Sequence, residues 1–380
     1  MDSQKILYIA AIAAFLVPVS NTIYNPNIAI IQKDFNTSYT LIAATISAFT
    51  AVMAISQLVY GPISDRIGRK KVLIPGLIVY IVANILIYFS WDIYSLILFR
   101  ILQAMGISTA IVIGAAIISD VYPRKMRGRA MGTYMFVLLI GPTIGPIIGG
   151  IIADTFGWRS LFIFLTFLGI SVGSLVYKML PETLKKPHKS HMLAGLNLLR
   201  DGKIAIICLL GSSIFASIYI FTTFLPVLFH EKYGLTSTQI GLAYLPSGIA
   251  LLAGSYIGGR LSDKIGRKPV FMAGTIINLI AVFLFAFSAL YDAGIYFLIL
   301  LFSLVGLGSG LFFPSSRVYI LDRTQLSASA NGVYNFALFT AATISPIAGG
   351  IVLERFSYFS MFILMAFLML ATSIVALKKT

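Results

Sequence analysis

Arg100 and Gln103 are the residues in this chain whose type and spacing most demand a chemical use. Three positions apart, they share one helical face inside a long apolar run, where an ionisable side chain is a functional candidate by default. Counted from Ile93, Arg100 falls about 10 Å along a helix rising 1.5 Å per residue. It either snorkels to the nearer membrane surface or makes a polar patch inside a bundle, and it is the only charge expected within a span. Asn21, Tyr24 and Asn25 stand at i, i+3 and i+4, beside Pro26, which should break their helix. Tyr219, Phe224, Tyr244, Tyr334 and Asn335, from later apolar runs, join them as candidate walls of a substrate cavity. Each reads equally as packing or as interface anchoring. Aromatic and amide groups without fixed acids suit neutral or anionic amphiphiles better than multivalent cations. Nothing here pairs a nucleophile with a base, and His188, His191, His230 and Cys208 lack metal-ligand spacing. No enzyme activity, cofactor or metal is expected.

The elements that must position these groups are membrane spans. Of the 380 residues 58% are hydrophobic and only 11% charged, against roughly 25% charged in soluble domains, and the mean hydropathy is +0.94. Twelve apolar segments follow: Ile6–Ile31, Thr40–Tyr60, Val72–Ser90, Ile93–Ser119, Ala130–Ala153, Ser160–Met179, Ile204–Phe229, Gln239–Gly258, Val270–Leu290, Ile295–Ser315, Ala328–Leu353 and Tyr358–Leu377. Each is long enough to cross a bilayer. The net charge of +15 would suggest nucleic acid in a soluble protein. Here the Lys and Arg residues gather in the loops of one side, which the positive-inside rule explains without nucleic acid. Both termini are therefore expected in the cytoplasm, with the chain multi-pass in a plasma or inner membrane and with a small-molecule substrate and the lipid bilayer as partners. No cleavable signal is read at the N-terminus.

A charged turn occurs twice. Gly61-Pro62-Ile63-Ser64-Asp65-Arg66-Ile67-Gly68-Arg69-Lys70 is answered by Gly259-Arg260-Leu261-Ser262-Asp263-Lys264-Ile265-Gly266-Arg267-Lys268, an offset of 263 − 65 = 198. Asp120 answers to Asp322, Gly132 to Gly332, and Gly149-Gly150 to Gly349-Gly350. Six spans repeated in one orientation imply a transporter with a pseudo-two-fold axis along the membrane normal. The expected parts are a bundle over 1–180, a cytoplasmic linker over 181–203 and a second bundle over 204–380. Within the linker, Met192 to Leu199 could lie along the membrane as an amphipathic helix or serve only as a tether.

The turn at Gly61 to Lys70 resembles the signature loop between the second and third helices of the major facilitator superfamily. Gly141-Pro142-x-x-Gly145-Pro146-x-x-Gly149-Gly150 is similar to that superfamily's antiporter motif. Arg100-x-x-Gln103-Ala104-x-Gly106 resembles the fourth-helix motif of its drug:proton antiporter branch. The resemblance spans the whole chain and implies an all-α fold of twelve transmembrane helices in two six-helix bundles. It also implies that the turns act as a latch. Asp65 would face a helix N-terminus across the seam, Gly61 would allow close approach and Gly68 a tight reversal. Arg69 would pair with Asp120, and Arg267 with Asp322, beside Arg66, Gly259, Asp263 and Gly266. A loop that merely sets topology is the alternative. The small residues of the fifth span give a close-packing face and its two prolines a bend.

One departure stands out. Exporters of this branch commonly carry an acid in the first span, whereas this chain reads Asn21-Thr22-Ile23-Tyr24-Asn25-Pro26-Asn27, and all thirteen acids fall in loops or at span ends. Asp34 or Asp120 would have to carry a proton, or Arg100 would release and recapture a bound group. The leading expectation is a monomeric, proton-coupled exporter of small amphipathic compounds. A facilitator or uptake system for a metabolite without proton antiport is the rival, and a non-transporting membrane sensor a third.

Overall fold

The computed structural model describes residues 2–184, 194–291, 293–324 and 327–379. His188, His191, Met192 and Leu193 lie outside them. Among the described residues run twelve helices long and apolar enough to cross a membrane. They are α1 (Ser3–Asp34), α2 (Tyr39–Ile67), α3 (Arg69–Tyr88), α4 (Ile93–Val121), α5 (Met126–Phe156) and α6 (Ser160–Met179), then α7 (Gly202–Tyr233), α8 (Ser237–Ile265), α9 (Arg267–Tyr291), α10 (Ile295–Leu321), α11 (Ala330–Arg355) and α12 (Tyr358–Lys378). The fold is all-α, as expected. The face carrying the α2–α3 turn and both chain ends is called the basic face below; the other is the opposite face.

Helix ends differ from the apolar segments in an instructive way. Residues 61–67 and 259–265 are helical, so the charged turn is no loop. The reversals are single residues, Gly68 at φ 115° and Gly266 at φ 93°, a region that favours glycine. α10 continues past Ser315 to Leu321, which brings Arg317 into a helix that hydropathy alone ends earlier. A helix keeps its own backbone bonds wherever it goes, so leaving the hydrocarbon does not end it. A glycine of positive φ ends several of these helices. In α1 Pro26 lacks the backbone donor: a 3-10 turn over Asn25–Asn27 interrupts the helix, and the Asn27 amide donates to Ile23 O (3.2 Å) and Gly149 O (3.4 Å).

Two large core clusters follow the two halves of the chain, one drawn almost wholly from α1–α6 and one from α7–α12. Apolar burial does little to drive helices together in lipid, so close approach of small residues must help. A Cβ at Gly76 or Gly106 would overlap the facing backbone between α3 and α4, and one at Gly274 or Gly308 would do the same between α9 and α10. These pairs repeat at offsets of 198 and 202 (274 − 76, 308 − 106). Between the halves, α2 packs on α11 and α5 on α8. Thr50 Oγ1 donates to Ala342 O at 3.2 Å, and Gly241 and Gly248 lie against Pro146 and Thr143. Past α6 the chain is irregular to Leu184. At 194–200 it forms a 3-10 turn that packs on α7 and α11.

Candidate functional site

Arg100 is wholly buried and does not snorkel. Its Nη1 donates to Gln103 Oε1 at 2.7 Å and to Ser20 O at 3.4 Å. Gln103 Nε2 donates to Asn84 Oδ1 (2.7 Å), Asn84 Nδ2 to Tyr80 O (2.7 Å), and the hydroxyls of Tyr80 and Ser20 meet at 2.7 Å. This network ties α1, α3 and α4 together and fixes the guanidinium. The rings of Tyr24 and Phe49 lie 4.7 and 4.5 Å from its central carbon. Such cation–π contacts contribute about 2 kcal/mol when desolvated. Arg100 Nε and Nη2 have no acceptor, and no described carboxylate reaches Arg100 within ion-pair distance. A desolvated cation with two idle donor nitrogens is costly unless something compensates it.

The candidate cavity residues divide. Asn21, next to the Ser20 carbonyl that Arg100 uses, donates to Tyr219 Oη across the seam at 3.1 Å. Asn335 Nδ2 donates to Gln57 Oε1 across the seam at 3.2 Å. Tyr24 is buried against Arg100 with its hydroxyl 2.9 Å from Thr45 Oγ1, and buried Asn25 has an unpartnered Oδ1. The others point into the second bundle's core. Phe224 is fully buried there, Tyr244 donates to Thr222 O (3.1 Å), and the Tyr334 hydroxyl sits 2.8 Å from Ser316 Oγ. Asp34, 14 residues beyond Ser20, is far from Arg100: it pairs with Arg159 at 2.7 Å and accepts from Trp158 Nε1 at 3.1 Å. Arg100 and Gln103 thus come together, and Asp34 does not join them.

At the basic face Arg69 binds Asp65 (2.6 Å), Asp120 (2.9 Å) and Ser64 Oγ (2.7 Å). The first linker residues complete this clasp, a feature the sequence reading missed. Glu182 accepts from the amides of Arg69 (2.9 Å) and Lys70 (3.1 Å), capping α3, and Thr183 Oγ1 donates to Asp120 (3.2 Å). Arg267 repeats the pattern with Asp322 (2.8 Å) and, more loosely, Asp263 (3.8 Å). Arg69 is 5% exposed against 31% for Arg267, so the first clasp is the stronger. Arg66 is exposed. Among the described residues nothing lies within 4 Å of a Cβ built at Gly61 or Gly259, so the close approach expected of Gly61 is not made here.

The fifth-span motif has two faces. Gly141, Gly145 and Gly149 press on Pro18, Thr22 and Ile23 of α1, within the first bundle, whereas Gly150 meets Ser237 and Thr238 of α8. The helix runs unbroken through Pro142 and Pro146.

The opposite face holds a pair of contacts that sequence reasoning did not anticipate. Asp154, at the end of α5, accepts from the Ser237 (3.1 Å) and Thr238 (2.7 Å) amides that open α8. Glu354, at the end of α11, accepts from the Thr40 amide that opens α2, at 2.7 Å. Each carboxylate crosses the seam to an unsatisfied helix N-terminus. The two stand 354 − 154 = 200 residues apart, and that shared offset was the available signal. Glu231 adds a third crossing, accepting from Tyr39 Oη at 2.7 Å.

Twelve spans in two matched sets, joined along a seam beside a buried polar centre, are an architecture that membrane transporters share. The family model of the Major Facilitator Superfamily matches residues 10–254 and again 207–380. This chain belongs to that superfamily. It is 32% identical over 322 residues to citrate exporter 1 of Aspergillus niger, covering 72% of this chain and 61% of that one, so it spans about three fifths of that relative's length. It is 25% identical over 304 residues to a bicyclomycin resistance protein homolog of Haemophilus influenzae, covering 77% and 76%. In structure it is similar to the nucleoside transporter NupG, with a TM-score of 0.79, 16% identity and coverage of 98% and 99%, a likeness of fold.

Proposed function

We propose that this chain exports small amphipathic compounds by alternating access, holding the substrate's anionic or electron-rich group at Arg100. Residues 1–180 and 204–380 act as the two rocking bodies, 181–203 as their tether, and one chain suffices. The basic face is cytoplasmic by the positive-inside rule, and the membrane is the plasma membrane. The Asp154 and Glu354 carboxylates, which cross the seam, serve as a gate at the external ends of the helices, whereas the Arg69 and Arg267 clasps brace the cytoplasmic helix ends within each bundle.

The observation that carries this reading is the desolvated guanidinium with idle donors and no described carboxylate in reach. Arg stays protonated in proteins, so it is a fixed charge awaiting a counter-charge rather than a proton carrier. A citrate exporter among the relatives acts on a polyanion, which suits such a centre.

Proton antiport is the expected driving force, with Asp34 or Asp120 as carrier. A second reading is favoured by their engagement with Arg159 and Arg69 at the faces. An anion leaving an inside-negative cell gains about 2.3 kcal/mol per charge per 100 mV and needs no exchanged proton. Efflux from vesicles reconstituted with the purified chain tests both. Arg100→Gln abolishes efflux while helical content is kept; transport at the wild-type rate would refute the site. Dissipating only the pH gradient stops antiport, whereas dissipating only the potential stops anion exit.

A further inference from the structure

The first half's buried arginine has a counterpart in the second half at a different depth. Arg317 lies in α10, 317 − 295 = 22 residues from its opposite-face end, about 33 Å along the axis. Arg100 lies 100 − 93 = 7 residues, about 10 Å, from the corresponding end of α4. The two cations therefore stand about 20 Å apart along the membrane normal, with Arg317 nearer the basic face.

Arg317 is turned into the seam. Its Nη2 donates to Asn335 Oδ1 at 2.9 Å, and Asn335 Nδ2 donates onward to Gln57 Oε1 of the other bundle at 3.2 Å. The Tyr334 ring lies 5.7 Å from the guanidinium. No described carboxylate is within ion-pair reach of it. Around this point three buried polar atoms have no partner: Arg317 Nε, Gln57 Nε2 and, one helical turn before Asn335, Asn331 Oδ1. A buried polar atom without a partner is an exception to be explained. Two of the three are donors, and they accompany an uncompensated positive charge. That combination fits a group with two anionic oxygens, a carboxylate or phosphate.

We propose that Arg317, Gln57 and Asn335 form a second anion-binding station, which a substrate meets on its way from the basic face to Arg100. The inference rests on the export reading above. The Asn335–Gln57 bond joins the two bundles at this level, so an anion bound at Arg317 competes for the groups that hold the seam together. Filling the station therefore loosens the seam. The same chemistry could come from an anionic lipid headgroup, and the test separates the two sources.

The probe is 5-carboxyfluorescein, an amphipathic anion. Its binding to the purified full chain is read by fluorescence anisotropy, and its efflux from phosphatidylcholine vesicles is measured with and without phosphatidylglycerol. Arg317→Gln is expected to weaken binding and raise KM about tenfold, the effect of losing one charge-assisted hydrogen bond, with kcat little changed. Asn335→Asp supplies an internal carboxylate that occupies Arg317. It should weaken the probe equally while raising Tm, which excludes misfolding as the cause. Unchanged affinity in both variants overturns the station. An effect confined to vesicles containing phosphatidylglycerol assigns Arg317 to a lipid headgroup and also overturns it. If Arg317→Gln acts as expected while Arg100→Gln leaves transport intact, the central-site reading fails and this station stands. The converse pattern removes only the station.

Discussion

Replacing Asp154 by Asn and Glu354 by Gln should unlock the opposite face. Each carboxylate caps the first turn of a helix in the other bundle, at 2.7–3.1 Å from backbone amides. The amide replacements keep an acceptor oxygen and lose the charge, so the loss is mainly the charge–dipole term of about 0.3–1 kcal/mol per helix end. Both residues are exposed, so solvent screening holds each near the middle of that range. The caps are distant and independent, and their effects should add. The pair then shifts the closed-to-open balance by about 1–1.5 kcal/mol, roughly five- to tenfold. Spin labels at Lys33→Cys and Tyr291→Cys, in a Cys208→Ala background, report the separation of the bundles at that face. The double variant should enrich the longer distance, with each single variant intermediate. A distance distribution identical to wild type would refute the gate. So would a single variant that matches the double.

Two further outcomes follow from the packing. Arg69→Ala removes the buried guanidinium that Asp65, Asp120 and Ser64 share, so it should destabilise the first bundle by about 3–5 kcal/mol. Arg267→Ala, at a solvent-exposed clasp, should cost under about 1 kcal/mol; equal losses in denaturant titration would contradict the burial argument. Gly149→Ala sets a Cβ against the Ile23 carbonyl and should cost about 1–3 kcal/mol by overpacking. Gly132→Ala meets nothing within 4 Å among the described residues and, lying inside a helix, should hold or raise Tm.

The spans and the duplication were legible because hydropathy and spacing record them directly, one charge at a time. Arg100 was legible for the same reason: a cation inside an apolar run has few explanations. The aromatic residues were not. Tyr219 and Phe224 lie five positions apart on α7, yet one reaches Asn21 across the seam and the other is sealed in the second core. A helix that is apolar all round gives hydropathy no way to choose between its faces. Hydropathy leaves Arg317 outside the tenth span because the apolar run stops at Ser315, before the helix does. The Asp154 and Glu354 caps join residues 84 and 314 positions apart, which local patterning cannot see. Only the 200-residue offset points to them, the same that relates Gly149-Gly150 to Gly349-Gly350.

The distribution of charge argues for what the path admits. Carboxylates sit at helix ends on both faces, and neither buried Arg100 nor half-buried Arg317 has a described carboxylate in ion-pair reach. At 4 Å and an effective dielectric constant near 20, a unit anion gains about 4 kcal/mol beside a guanidinium and a unit cation loses as much. Desolvating the ion costs several kcal/mol either way, so under the proposed export reading the arginine favours an anion and disfavours a cation twice over. A neutral amphiphile falls between, drawn in by the rings of Tyr24 and Phe49 and by the idle donors of Arg100. Competition between substrates should therefore rank anion above neutral above cation, and Arg100→Gln should collapse that order rather than shift every member alike. A cation that competes as well as an anion of the same apolar size would contradict the electrostatic reading, even if transport itself were confirmed.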